Sequence, residues 1–328
     1  MPRRSPIGRR PLLAAAAALA APAALARAQP AGGAPLRLVV PFVPGGSTDV
    51  AARIVAPAFA EALGRPVVVE NRGGAGGLLG AEAVAASAPD GGALAFLTIS
   101  AAVLNQLLHR DLRLDIRRAF APVSLVGTMP MVAVCGPHVP ARDLPGFLDL
   151  LRREPGRRTY GSSGAGSINH LGGHLLAARA GATATHVPYR GAGPVIADMI
   201  AGNVDYLVEG LASLHPHVRG GALRGLAVCA GARSPLLPEV PTAAEGGLPD
   251  FEILNWFAVF APAATPAPAL ARLTAGLQAA VRAEGVARRL AENGVDPVGS
   301  SAAELERFWD AQFALWTPVV RDSGATTD

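Results

Sequence analysis

The sequence contains no lysine; all 29 of its basic residues are arginine. A P-loop needs a lysine on its phosphates, and Schiff-base or pyridoxal-phosphate chemistry starts from a lysine amine, so both are excluded. Only two cysteines are present in 328 residues, far too few for a disulfide-stapled scaffold. A chain of this length buries a substantial core without staples. An excess of basic charge is lacking beyond the leader. The formal net charge is +4, but five arginines (Arg3, Arg4, Arg9, Arg10 and Arg27) precede residue 29, where there is no acid. Setting those five aside leaves 24 basic residues against 25 acidic, which offers no basic face to nucleic acid. No G-x-S-x-G elbow occurs at Ser162, Ser163 or Ser167, and the zinc motif H-E-x-x-H is absent.

The N-terminus reads as a secretory signal over residues 1–28. A basic stretch, Arg3 to Arg10, precedes an apolar run from Leu12 to Leu25, and Ala26-Arg27-Ala28 offers an A-x-A cleavage site. The run is interrupted by Pro22 and is short for a membrane span. A retained anchor is the alternative. Gly8-Arg9-Arg10 fits a twin-arginine signal, and Sec export is equally open. Cleavage would leave a periplasmic protein. An oxidising compartment permits a Cys135–Cys229 bridge, and two buried free thiols are the other reading.

Short apolar runs then alternate with helical patterns. Strands are expected at Leu36–Phe42, Pro66–Glu70 and Ala93–Thr98, with helices at 49–63 and 80–88 between them. Two strands, Val123–Gly127 and Met131–Cys135, are expected to be separated by Thr128-Met129-Pro130. Helices at Leu144–Arg153, 169–180 and 194–201 alternate with strands near 159–161, 185–189, 204–209 and 223–229. The tail is expected to be helical over 268–283, 285–292 and 302–316. Such β–α alternation argues for an α/β fold of parallel sheets with helices on both faces. No linker divides the chain and no internal repeat is evident, as expected where two lobes share crossing segments.

Two loops carry the candidate chemistry. Val39-Val-Pro-Phe-Val-Pro-Gly-Gly-Ser-Thr-Asp49 ends a strand and opens a helix, where free N–H groups and the helix dipole favour an anion. An ordinary turn with Thr48 or Asp49 as N-cap is the plainer reading. Tyr160-Gly-Ser-Ser-Gly-Ala-Gly-Ser-Ile-Asn-His170 repeats the design roughly 110 residues later. One anion held from two sides fits the pair, outside the carboxyl ends of strands. The glycine-rich Glu70–Gly77 lacks dinucleotide-binding spacing and reads as a turn. His170 and His174 share a helix face but have no evident third metal ligand, and solvated or capping roles suit them better. His215-Pro-His217 reads the same way, so no metal and no cofactor are expected.

The ordered motifs resemble the Bug receptors, extracytoplasmic binding proteins of tripartite tricarboxylate transporter type. Pro41–Asp49, Arg65–Gly77, Ala88-Pro-Asp-Gly91, Phe120–Ser124, Tyr160–Gly164, His186–Pro194, Arg233–Thr242, Trp256-Phe257 and Ala261-Pro262 carry the resemblance across nearly all of the mature chain. It implies a type II periplasmic-binding-protein fold: two doubly wound lobes joined by crossing hinge strands, with a ligand cleft between. Lobe one would comprise 35–128 and 250–328, and lobe two 129–249, hinged near Thr128–Met131 and Glu245–Phe257. Carried over residue by residue, lobe one would offer Gly45, Gly46, Ser47, Thr48, Asp49 and Ser100 to a ligand carboxylate. Lobe two would offer Ser162, Ser163, Gly164, Gly166 and Ser167, and Glu209, placed at a strand end, would face the cleft as well. Glu209-Gly210 departs from the Asp-Asn usual in the family, and an acid there would repel an anion or hold an amine or hydroxyl.

The resulting expectation is a non-enzymatic receptor, acting as a monomer. It would capture a dicarboxylate, tricarboxylate, amino acid or aromatic acid by hinge closure. It would then deliver that ligand to a membrane permease or inform a sensor protein. The rivals are a periplasmic serine hydrolase, with Ser162 or Ser163 served by His170 or His186, and a ligand-binding sensor module not coupled to transport.

Overall fold

A computed structural model describes residues 34–109, 112 and 114–325. The proposed leader lies outside the described residues. In chain order the first part runs β1 (Leu36–Val40), α1 (Ser47–Leu63), β2 (Val67–Asn71), α2 (Leu78–Ala85) and β3 (Ala93–Thr98). A wide helical turn at Ser100–Leu104 leads to the one-turn helices α3 (Asn105–Leu108) and α4 (Ile116–Ala119), then to the long strand β4 (Phe120–Cys135). Next come α5 (Leu144–Arg153), β5 (Thr159–Ser162), α6 (Ile168–Arg179), β6 (Thr185–Pro188), α7 (Ala192–Ala201), β7 (Tyr206–Gly210), α8 (Leu211–Arg219) and β8 (Arg224–Val228). The chain returns through β9 (Leu254–Pro262), α9 (Ala267–Arg282), α10 (Glu284–Glu292), β10 (Asp296–Pro297) and α11 (Ala302–Ser323).

The strands form one plan used twice. In the first half β1 lies between β2 and β3, parallel to both, and β9 then β4 continue the sheet antiparallel. In the second half β5 lies between β6 and β7, again parallel, and β4 then β8 continue antiparallel. Apart from the paired glycine- and serine-rich loops after β1 and β5, this repeat of topology has no evident counterpart in the residue pattern. It yields the two-lobed binding-protein fold, with β4 as a member of both sheets.

Shared membership explains one departure from expectation. Val123–Gly127 and Met131–Cys135 are parts of the single strand β4, unbroken at Pro130. A proline removes a ladder donor. Here the loss falls where the strand changes partners: Pro130 is opposite Leu254 of β9, and pairing with β7 begins at Met131. Other elements also depart from expectation. Helices α3, α4 and α8 and the short β10 were not expected, and α11 runs through Pro318 to Ser323, with Val320 buried beyond the expected end at Trp316.

Local chemistry accounts for several boundaries. Asp143 caps α5 by accepting from Gly146 N, and Ser301 with Glu304 forms a capping box on α11. Helix α1 stops at Gly64, whose φ of 65° suits a left-handed cap. The apolar runs of β1 and β3 are buried because helices cover both faces of the sheet. Trp309 fastens α11 to the first half. It is buried, donates from Nε1 to Ala102 O at 2.9 Å and packs on Phe260, with Arg117 over its ring at 4.2 Å.

Cys135 and Cys229 are both free and buried. Cys135 lies opposite Arg224 on β8, whereas Cys229 N donates to Met131 O, four residues back along β4. That offset is about 13 Å at strand spacing, beyond disulfide reach. Burial pushes the thiols up to about 11 and about 12. Maleimide at pH 7 should therefore leave both unlabelled in the native protein and label both after denaturation. Mass spectrometry would read this, and a bridge would appear as a two-dalton deficit before reduction.

Candidate functional site

A narrow cavity lies at the carboxyl ends of β1, β3, β5 and β7, the corresponding positions in the two halves. Its lining is Phe42, Gly46, Ser47, Thr48, Thr98, Ser100, Ser163, Ile168, Asn169, Ala192, Glu209 and Asn255. No basic side chain is among them.

The two loops that look alike in sequence play different parts. Gly46 is the N-cap of α1, and no side chain caps that helix. The first turn, Ser47 and Thr48, is buried at the cavity. Asp49 is not at the cavity. Its carboxylate accepts from Arg53 Nε at 2.9 Å, Asn71 Nδ2 at 2.9 Å and Gly45 N at 3.3 Å, bracing the loop. Burial pushes the Asp49 pKa up, but these donors together hold it below the ordinary value.

The second loop spends its last hydroxyl, that of Ser167, on itself. Ser167 caps α6 by accepting from His170 N at 3.2 Å and donates to Gly164 O at 2.6 Å. Ser100, from the other half, accepts from Ile168 N at 2.9 Å. The N-terminus of α6 is thus filled by protein, while that of α1 opens on the cavity. Gly164 and Gly76 meet backbone to backbone between the halves: a Cβ on Gly164 would lie 2.6 Å from Gly76 N. At φ values of 125° and 59°, both positions favour glycine. Gly166 packs against Asn105 and donates to His170 Nδ1 at 3.3 Å.

Glu209 is the one acid lining the cavity, and it is almost fully buried. Oε1 accepts from Gly210 N at 2.8 Å and from Ser47 Oγ at 3.3 Å. Oε2 accepts from Asn169 Nδ2 at 2.7 Å and from Ser163 Oγ at 3.5 Å. Burial pushes its pKa up, and the hydrogen bonds offset part of that rise.

Of the expected residues, Gly46, Ser47, Thr48, Ser100, Ser163 and Glu209 line the cavity. Gly45, Asp49, Ser162, Gly164, Gly166 and Ser167 support it from behind. The sequence reading missed Thr98, Asn169 and Asn255. Thr98 Oγ1 is buried without a hydrogen-bond partner, an unspent polar group at a cavity wall. Thr98 ends an apolar strand, so only its place at the end of β3 could have nominated it. Asn169 lay in the quoted loop, two residues past the N-cap, where α6 turns it inward.

Behind the second loop, the aromatic side chains stack. His170 and His186 lie 4.0 Å apart between ring centroids, and Tyr160 packs on His186 at 5.0 Å. His170 is buried, which corrects the solvated reading; its Nδ1 accepts within the loop. Ser162 Oγ contacts His186 Nε2 at 2.6 Å, the pair a serine hydrolase would use. That hydroxyl is fully buried and outside the cavity, and burial pushes the His186 pKa down to about 4, which makes it a poor base. Among the described residues, no group of three or more His, Cys, Asp or Glu could hold a metal ion.

Known proteins share this architecture. The model of the tripartite tricarboxylate transporter family receptor matches residues 51–325. Protein BugT of Bordetella pertussis is 36% identical over 292 residues, covering 89% of this chain and 90% of that protein. R. palustris Rpa4515, solved with adipate, is 32% identical with a TM-score of 0.85, covering 89% and 98% of the two chains. MatC of Rhodopseudomonas palustris, solved with bound malate, is 32% identical with a TM-score of 0.83, covering 87% and 98%.

The histidine stack makes stability depend on pH. Burial pushes the His170 pKa down to about 3, with His186, His174 and His109 adding to the effect. A histidine kept neutral when folded takes up its proton more readily when unfolded, so stability holds above about pH 6.5 and falls as pH drops below it. Glu209, with its raised pKa, contributes in the opposite sense. Melting temperature measured from pH 8 to pH 4.5 should stay level and then decline by several degrees. His170→Gln should flatten that decline. An equally steep fall in the variant would show that the stack is not its source.

Proposed function

The chain belongs to the tripartite tricarboxylate transporter receptor family, and from that premise we propose that it is a periplasmic solute-binding receptor that captures a small carboxylate between two lobes and delivers it to a membrane permease. The observation that carries this reading is the uncapped N-terminus of α1 at the cavity, with the unpartnered hydroxyl of Thr98 lining the same cavity. Free N–H groups at a helix start, with the positive end of the dipole, suit a carboxylate without any cation. Relatives solved with adipate and malate support the ligand class. Ligand contacts are assigned to Gly46, Ser47, Thr48, Thr98, Ser100, Ser163, Asn169 and Asn255, with Glu209 beside them.

The lobes are assigned to 35–128 with 250–328, and to 129–249, so that β4 crosses at Pro130. Closure would bring Val43 N to Arg190 O, Ser100 to Ile168 N, Ser47 to Glu209 and Gly76 to Gly164, which are among the contacts that join the halves here. Helix α11 also reaches the second half, where Ser323 O meets His174 Nε2 at 2.8 Å. Closure needs only a ligand that binds the closed form better than the open one. The proposed leader would be removed at Ala28, and the mature receptor would act as a monomer. Turnover is not part of this reading, because the Ser162–His186 pair offers substrate no access.

A thermal-shift panel of mono-, di- and tricarboxylates and amino acids on the mature chain tests it. A ligand at 100 times its Kd should add about 2.7 kcal/mol and raise the melting temperature by a few degrees. Thr98→Val should keep the fold and weaken the best ligand about tenfold, the worth of one buried hydrogen bond to a charged group. If nothing in the panel shifts the folded protein, the receptor reading falls.

A further inference from the structure

Resting on the carboxylate-receptor reading, we propose that this site selects a ligand carrying an ammonium group beside its carboxylate, the arrangement of an amino acid, with Glu209 recognising the amine. An acid buried at a cavity wall normally has a cation. Around Glu209 the facing side chains are Ser47 of α1, Ser163 of the loop before α6, Asn169 of α6 and Ser213 of α8, and none is charged. Among the described residues, no basic side chain forms an ion pair with it. The positive ends of α1 and α8 ease the charge, but burial still pushes its pKa up. A buried carboxylate in that position gains most from a partner that brings the missing positive charge.

Hydrogen-bond geometry leaves room for that partner. Each carboxylate oxygen has one short bond to a neutral donor, at 2.8 Å and 2.7 Å, and one long serine contact, at 3.3 Å and 3.5 Å. An ammonium donor can displace the long contacts. Ser47 Oγ has alternative partners in Gly210 O at 3.3 Å and Ser213 Oγ at 3.1 Å, so it can turn away without being stranded. With the ligand carboxylate at the start of α1, the adjoining ammonium faces Glu209. A second carboxylate there would be repelled, so the same residue discriminates against plain dicarboxylates.

Titration calorimetry on the mature chain with matched ligands tests this: propionate, lactate and alanine; succinate, malate and aspartate; 3-phenylpropionate, 3-phenyllactate and phenylalanine. In at least one set the amino member should bind about thirtyfold or more tighter than the unsubstituted acid, the penalty for leaving a buried charge unpaired. Glu209→Gln should abolish that preference and improve succinate relative to aspartate. The unmutated protein provides a second readout in case the variant does not fold. Affinity for the amino member should fall as pH drops through the raised Glu209 pKa, up to tenfold per pH unit, because the amine needs the ionised acid. Unsubstituted acids that bind as well as amino acids, a preference that survives Glu209→Gln, or an amino-acid affinity flat from pH 7.5 to 4.5 would overturn the proposal and leave the receptor reading intact. If no carboxylate of any kind binds, both fall.

Discussion

The whole arrangement depends on the start of α1, a helix N-terminus that the protein does not satisfy by itself. Three of the longer helices are capped by side chains from within. Asp143 serves α5, Ser301 serves α11, and Ser167 with Ser100 closes α6. At α1 the N-cap is Gly46, with no side chain to spend, and Asp49, which could have capped, is drawn away by Arg53 and Asn71. An open helix start in a buried cavity is costly unless something fills it. The neighbouring features follow from that cost: a glycine-bounded loop, a cavity of small polar side chains and an unspent threonine hydroxyl at the end of the adjacent strand β3.

Topology explains how these groups converge. Each half places its first strand between the next two, so the loops after β1 and β5, and the ends of β3 and β7, all open on one edge. Ligand sites in open α/β sheets lie at such carboxyl ends. The equivalence also shows what is unusual. Where the first half ends its third strand with Thr98, the second has Glu209 one residue before the end of β7, and that difference makes the cavity chemically one-sided. Because β4 belongs to both sheets, on the receptor reading a change of angle between the halves would bend it at its partner exchange at Pro130, where a ladder donor is already missing.

The fold was legible in sequence because apolar runs and helical periods alternate cleanly, and most elements lie within two residues of expectation. The division at Pro130 was misread, since local chemistry cannot show that a strand changes neighbours there. The site was half legible. Glycine and serine marked both loops, but composition is blind to where a hydroxyl points: Ser162 and Ser167 are expected at the ligand, whereas their hydroxyls here bond to His186 and within the loop. Asn169 and Thr98 were missed for the converse reason: nothing in an asparagine within a helix, or a threonine ending an apolar strand, signals an inward side chain. Glu209 was legible by its departure from the family pattern. Its four donors and lack of a cation required the structure.

A site without arginine or lysine also suits capture followed by release. A fixed cation would hold an anion strongly whether the lobes were open or closed, because its charge acts at range. Helix dipoles, amides and hydroxyls act at contact distance and lose most of their strength to competing water. On the receptor reading, affinity then comes mainly from the closed form, where Gly76 and Gly164 let the halves approach to backbone contact and exclude solvent. Opening returns water to every donor at once and releases the ligand. Glu209 fits the same logic: its charge is tolerable while the cleft is open and hydrated, and becomes demanding only when closure dries it. If Glu209 recognises an ammonium group as proposed, the buried acid would tie closure to the identity of the ligand and not merely to its presence.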